Sequence, residues 1–178
     1  LNYNGQVSTG ENSAILTSDF STMNLTTPIW PPESSERHWV NVYNVGLQQY
    51  ASDANSAGIG VFFFTDMLIL PKSLVDMFPG EILDGNGDIA FNDFVKDLLR
   101  VQLGEMFANF PHLDGLVVRT GETYVYDNPY HIGNSPLANT TNMTDEEVKA
   151  KWSEFINFLR EEICVKYDKK VLFRTWDN

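Results

Sequence analysis

The chain has 178 residues, 43% hydrophobic and 20% charged. That balance gives one globular domain a real core and excludes a disordered polymer. Its net charge of -12 repels phosphate backbones and anionic lipid, which argues against nucleic-acid and membrane-surface partners. The longest apolar run, IGVFFFTDMLIL at 59–70, is too short to span a bilayer and carries Asp66.

Residues 1–34 are rich in Ser, Thr, Asn and Pro without a sustained period, and read as an irregular N-terminal segment. The pattern then changes. Trp39, Tyr43, Leu47, Tyr50 and Ala54 recur at three- or four-residue spacing, which predicts a helix over 36–56 with its core stripe on those residues and an end at Gly58. IGVFFFTD at 59–66 is short, continuous and aromatic, the mark of a buried strand. DGNGDIAFNDF at 84–94 places Asp84, Asn86 and Asp88 at calcium-loop spacing. Ile89 stands where that loop needs glycine and Val95 where it needs glutamate, so the stretch reads as a polar turn.

A second helix is predicted over 91–109, its apolar face made by Phe91, Val95, Leu98, Leu99, Leu103, Met106 and Phe107. FPHLDG breaks it, and 114–120 is the next buried strand. Residues 121–143 are a long polar segment. Thr144 with Glu147 three residues later is a capping box, which starts a third helix over 145–165 on the stripe Val148, Trp152, Phe155, Ile156, Leu159 and Ile163. Cys164, the only cysteine, reads as a small core residue and permits no disulfide within the chain. The strand 170–176 follows.

Strands without polar alternation, joined by amphipathic helices, predict an α/β fold with a parallel sheet. A doubly wound sheet and a (β/α)₈ barrel both fit. No Gly-rich phosphate loop follows any strand, which weighs against a nucleotide-binding sheet. A full barrel needs about 250 residues. On the barrel reading, 35–178 is a partial (β/α)₈ barrel of about three βα units, completed by further segments of the same protein or by other chains.

The three strands end alike: Thr65-Asp66 after the first, Arg119-Thr120 and then Glu122 after the second, Arg174, Thr175, Trp176 and Asp177 at the third. Parallel strands bring their C-terminal ends to one rim, where α/β sheets and barrels bind ligands. Carboxylates there suit glycoside cleavage, which needs one acid to protonate the leaving oxygen and a second carboxylate as base or nucleophile. Tyr124, Tyr126, Tyr130 and Trp176 offer faces for sugar stacking. Two arginines suit an acidic sugar, because the guanidinium fork grips a carboxylate at two points.

FPHLDGLVVRTGETY, VLFRTWDN and GVFFFTDMLILP together make the stretch from about 57 to 178 resemble, at motif level, the catalytic barrel of the family 67 α-glucuronidases. The resemblance implies an inverting, metal-independent hydrolase without a cofactor, acting on uronic-acid-containing polysaccharide. It assigns the general acid to Glu122 and the sugar carboxylate to Arg119 and Arg174. Asp66, Tyr124, Trp176, Asp177 and His131 complete the expected substrate contacts. Two departures stand out. Arg119 replaces a lysine, and it lies three residues before the glutamate rather than four, which changes the face it occupies unless Gly121 marks a bulge. The general base is expected on later strands, beyond Asn178.

His38, His112 and His131 lack metal-ligand spacing, so no metal site is expected. Asn24, Asn139 and Asn142 begin glycosylation sequons, which points to a secreted or extracellular protein. The alternative reading is a non-catalytic extracellular carbohydrate-binding or structural protein that keeps the barrel-derived fold.

Overall fold

A computed structural model of the protein describes residues 15–120, 123, 125, 128–137 and 140–174. Its centre is a parallel three-stranded sheet in the order β1 (Phe62–Thr65), β3 (Gly115–Arg119), β5 (Lys170–Arg174). The pairing runs Phe62 with Gly115 to Thr65 with Val118, and Gly115 with Lys170 to Arg119 with Arg174. The three strands predicted from sequence are thus parallel neighbours in chain order. The described residues form an open sheet, not a closed barrel.

Side chains alternate between the faces of a strand, and the two faces differ. Phe63, Leu116 and Val118 are fully buried and belong to one hydrophobic cluster with Leu98, Leu99, Leu103 and Met106 of α4 (Asp93–Asn109). The opposite row, Phe64, Val117 and Leu172, grades from half-buried through buried to 48% exposed at the edge. Gly115 faces Lys170 of β5 across the pairing, and a Cβ there would overlap the Lys170 carbonyl.

Three helices stand near their predicted places. Helix α1 (Ser35–Ser56) starts at Ser34, whose side chain accepts from the Arg37 amide. Asn92 caps α4 in the same way through the Val95 amide. Thr144 and Glu147 close the reciprocal capping box that begins α5 (Asp145–Leu159). The predicted helix 145–165 changes character at Arg160, where the coil widens to a π-helical turn, Arg160–Val165. Cys164, expected in the core, is only half-buried there.

Other elements depart from the sequence reading. The apolar run 59–70, read as a strand over 59–66, holds a second one: after Asp66 the chain enters β2 (Leu68–Pro71). This strand pairs antiparallel with β4 (His131–Asn134), inside 121–143, which the sequence reading gave only as a long polar segment. Two short helices, α2 (Lys72–Met77) and α3 (Pro79–Ile82), fill the stretch before the 84–90 turn. The stripe expected on α1 is also rotated. Val40, Leu47, Ala51 and Ala54 are buried, whereas Trp39 and Tyr43 are half-buried and Tyr50 is exposed.

The described part of the N-terminal segment is irregular apart from one 3₁₀ turn, Ile15–Thr17. It is nonetheless bound into the core through Ile15, Leu16, Phe20 and Trp30. The buried Glu105 carboxylate anchors it. It accepts from the Ser18 hydroxyl at 2.6 Å, the Phe20 amide at 2.8 Å, the Thr22 amide at 2.7 Å and the Thr22 hydroxyl at 2.8 Å. No described helix is long and apolar enough to cross a membrane.

Candidate functional site

The sheet register places three charged residues level with one another at the C-terminal rim. Thr65 pairs with Val118 and Arg119 with Arg174, so Asp66, one residue past β1, lies in a row with Arg119 and Arg174. The first two are joined. Arg119 Nε donates to Asp66 Oδ1 at 2.7 Å and Nη2 to Oδ2 at 2.6 Å. Their side chains are 4% and 1% exposed. A planar fork matched to a planar carboxylate is the geometry of a strong charge-assisted pair. Sequence reading assigned both residues to substrate; the structure uses this edge of the guanidinium to tie β1 to β3.

Hydroxyls continue the tie. Thr65 Oγ1 donates to the Asp66 carbonyl at 3.0 Å, Thr120 Oγ1 to the Arg174 carbonyl at 3.5 Å, and Ser135 Oγ to the Thr120 carbonyl at 2.9 Å. The last of these fastens the end of β4 to the end of β3, so the two-stranded sheet is held against the rim. Glu122, Tyr124, Trp176 and Asp177, with Tyr126 and Thr175, lie outside the described residues.

His131, on β4, is 3% exposed. Its ring lies edge-on to Trp30 with centroids 5.8 Å apart and tilted to Trp39 at 6.0 Å. Nδ1 lies 2.8 Å from the Pro129 carbonyl, which can only accept, so the ring carries its proton on Nδ1 and Nε2 is an acceptor. Burial pushes the imidazole down to about 4, with the Lys72 charge adding to the effect and the Pro129 contact opposing it. The residue is therefore neutral at neutral pH. Nε2 is buried without a hydrogen-bond partner among the described residues.

A further feature escaped the sequence reading. Trp39, Val42, Tyr43, Tyr50 and Tyr130 line a surface groove of about 670 Å³, with Ser35, His38, Gly46 and Leu47. Trp39 and Tyr43, one helical turn apart, stack at 4.9 Å and 14°. Tyr130 meets Trp39 edge-on at 6.4 Å and 76°. The signal lay in the number of apolar positions on α1. Residues 39, 40, 42, 43, 45, 47, 50, 51 and 54 wrap around more of a helix than one buried stripe can hold.

Among the described residues no group of three or more His, Cys, Asp or Glu side chains is placed to hold a metal ion. Asp84 instead closes its own turn by accepting from the Asn86 and Asp88 amides, contacts that lower its pKa. Of the sequons, Asn24 and Asn142 are exposed, as a glycosylated side chain must be, and Asn139 lies outside the described residues. Comparison with protein-family models, with curated proteins and with solved structures gives no match to this chain.

Proposed function

We propose that this chain is part of a carbohydrate-active α/β protein: a glycoside hydrolase-like domain acting on uronic-acid-containing polysaccharide, with Glu122 as the general acid. The observation that carries this reading is the level row Asp66, Arg119 and Arg174 at the C-terminal ends of three adjacent parallel strands. Ligands of parallel α/β sheets bind at that rim. Glu122 follows Thr120 by two residues in the sequence. On this reading the Asp66–Arg119 pair stiffens the rim, and Arg174 is the cation that meets the sugar carboxylate.

The sheet is the first part of a (β/α)₈ barrel on the same reading. Support comes from β5. Leu172 and Phe173 point to opposite faces and are 48% and 38% exposed, whereas all five residues of β3 are buried. An apolar strand exposed on both faces is suited to burial by further strands and helices. The protein is secreted, with Asn24 and Asn142 as accessible glycosylation sites, and it uses no metal or cofactor.

The test is Glu122→Gln in a protein with measurable glycanase activity. Turnover on a natural uronic-acid glycan should fall by about 10²–10⁴-fold, the usual contribution of a general acid. The loss should shrink on an activated aryl glycoside, whose leaving group needs no proton. Unchanged turnover on the natural glycan would remove Glu122 from the mechanism. The engagement of Arg119 by Asp66 favours the second reading, a non-catalytic carbohydrate-binding protein. In that case oligosaccharides bind and no reducing ends are released.

A further inference from the structure

We propose that the aromatic groove of α1 is a second carbohydrate site, one that takes the neutral backbone of a polysaccharide. The inference rests on the carbohydrate reading above, but uses none of Asp66, Arg119, Arg174 and Glu122, and it moves Tyr130 from the rim, where the sequence reading had it, to the groove. At about 670 Å³ the groove falls in the size range of small-ligand clefts. Its lining includes Trp39, Tyr43, Tyr50, Tyr130, Val42 and His38 and contains no Asp, Glu, Lys or Arg. On a chain of net charge -12, an uncharged groove offers a uronate no cation and a repulsive field, so charge selects a neutral ligand. Aromatic faces fringed by tyrosine hydroxyls match a pyranose, which has an apolar face and a hydroxylated edge.

The backbone beside the groove is specialised. Tyr130 has φ of 68°, a left-handed conformation that costs a non-glycine residue energy and gathers at ligand sites. The Lys72 amide holds it there by donating to the Tyr130 carbonyl at 2.8 Å. The result sets the Tyr130 ring edge-on to Trp39. Behind Trp39, the buried His131 ring packs tilted against the indole at 6.0 Å and backs it from the core side.

Calorimetric titration and tryptophan fluorescence with xylohexaose, cellohexaose and hexagalacturonate, each up to roughly 10 mM, test the site. A neutral hexasaccharide should bind and quench or shift the fluorescence, and hexagalacturonate should leave this signal unchanged. Tyr43→Ala should weaken the neutral ligand by about tenfold or more. Because Val42 is 60% exposed, Val42→Glu should abolish binding while leaving the melting temperature unchanged. Glu122→Gln should bind the neutral sugar as the parent does, so failure of the hydrolase reading and failure of this site are separable. Three results would overturn the proposal: no binding of either neutral hexasaccharide, binding indifferent to Tyr43→Ala and Val42→Glu, or a dimer in solution that Val42→Glu dissociates.

Discussion

Removing one partner of the Asp66–Arg119 pair should cost more stability than any other single surface-independent change at the rim. Both side chains are almost completely shielded, and the contact comprises two charge-assisted bonds of 2.7 and 2.6 Å. Asp66→Ala leaves a guanidinium buried beside β1 without its carboxylate, and such a loss costs about 3–5 kcal/mol. Folded domains of this size hold only about 5–15 kcal/mol in total. With a urea slope of about 2 kcal/mol per M, the unfolding midpoint should drop by about 2 M. Arg119→Met should lose a comparable amount by removing the carboxylate's bidentate partner. The double variant should lose much less than the two single losses added, because neither charge is then left alone. Urea titrations followed by far-UV circular dichroism on the four proteins close the cycle. Single variants that lose less than about 1 kcal/mol, or strictly additive losses, would refute the claim that this pair ties β1 to β3.

Three other outcomes follow from the same structure. His131 titrates near 4 when folded and near 6.5 when unfolded; between those values the unfolded chain binds a proton that the folded chain refuses. Stability should therefore be level above pH 6.5 and fall by about 3 kcal/mol toward pH 4, and His131→Gln should flatten that slope in urea titrations across the window. Thr144→Ala removes the capping box of α5 and should cost about 1 kcal/mol in thermal or chemical denaturation. Glu105→Ala deletes the acceptor of four hydrogen bonds to residues 18–22; it should cost about 3 kcal/mol and open a new proteolytic cut near Phe20.

The parallel core was legible because its strands are short, apolar and separated by helices with caps that chemistry requires. Thr144 carries a side-chain oxygen that satisfies an otherwise orphan amide, and its box with Glu147 was readable; the Asn92 cap of α4 came only with the structure. The β2–β4 pair was illegible for the opposite reason. Leu68–Pro71 continues the apolar run of β1 without a turn residue, and nothing in composition shows that the chain changes sheets after Asp66. His131–Asn134 offers a single strand former, Ile132. Gly133 is there because a Cβ would lie 2.6 Å from the Leu68 carbonyl oxygen, a constraint visible only once the strands are paired. The stripe on α1 was misplaced because Trp39, Tyr43 and Tyr50 count as apolar in any periodicity, yet their large rings with polar tips are stable half in water.

The charged strand ends carry two demands at once, and the structure separates them. A rim that meets a sugar needs polar side chains, but the ends of buried strands also need their own charges paired. Arg119 Nε and Nη2 answer the second demand through Asp66, a residue 53 positions earlier in the chain. Sequence spacing cannot distinguish an arginine aimed at a substrate from one aimed at a neighbouring strand. The register can, because it sets Asp66, Arg119 and Arg174 level, with Asp66 on one side of Arg119 and Arg174 on the other. On the function proposed above, carboxylate recognition at this rim centres on Arg174. The anchoring of Arg119 gives that recognition a fixed base, since a first contact is only as precise as the groups that hold it.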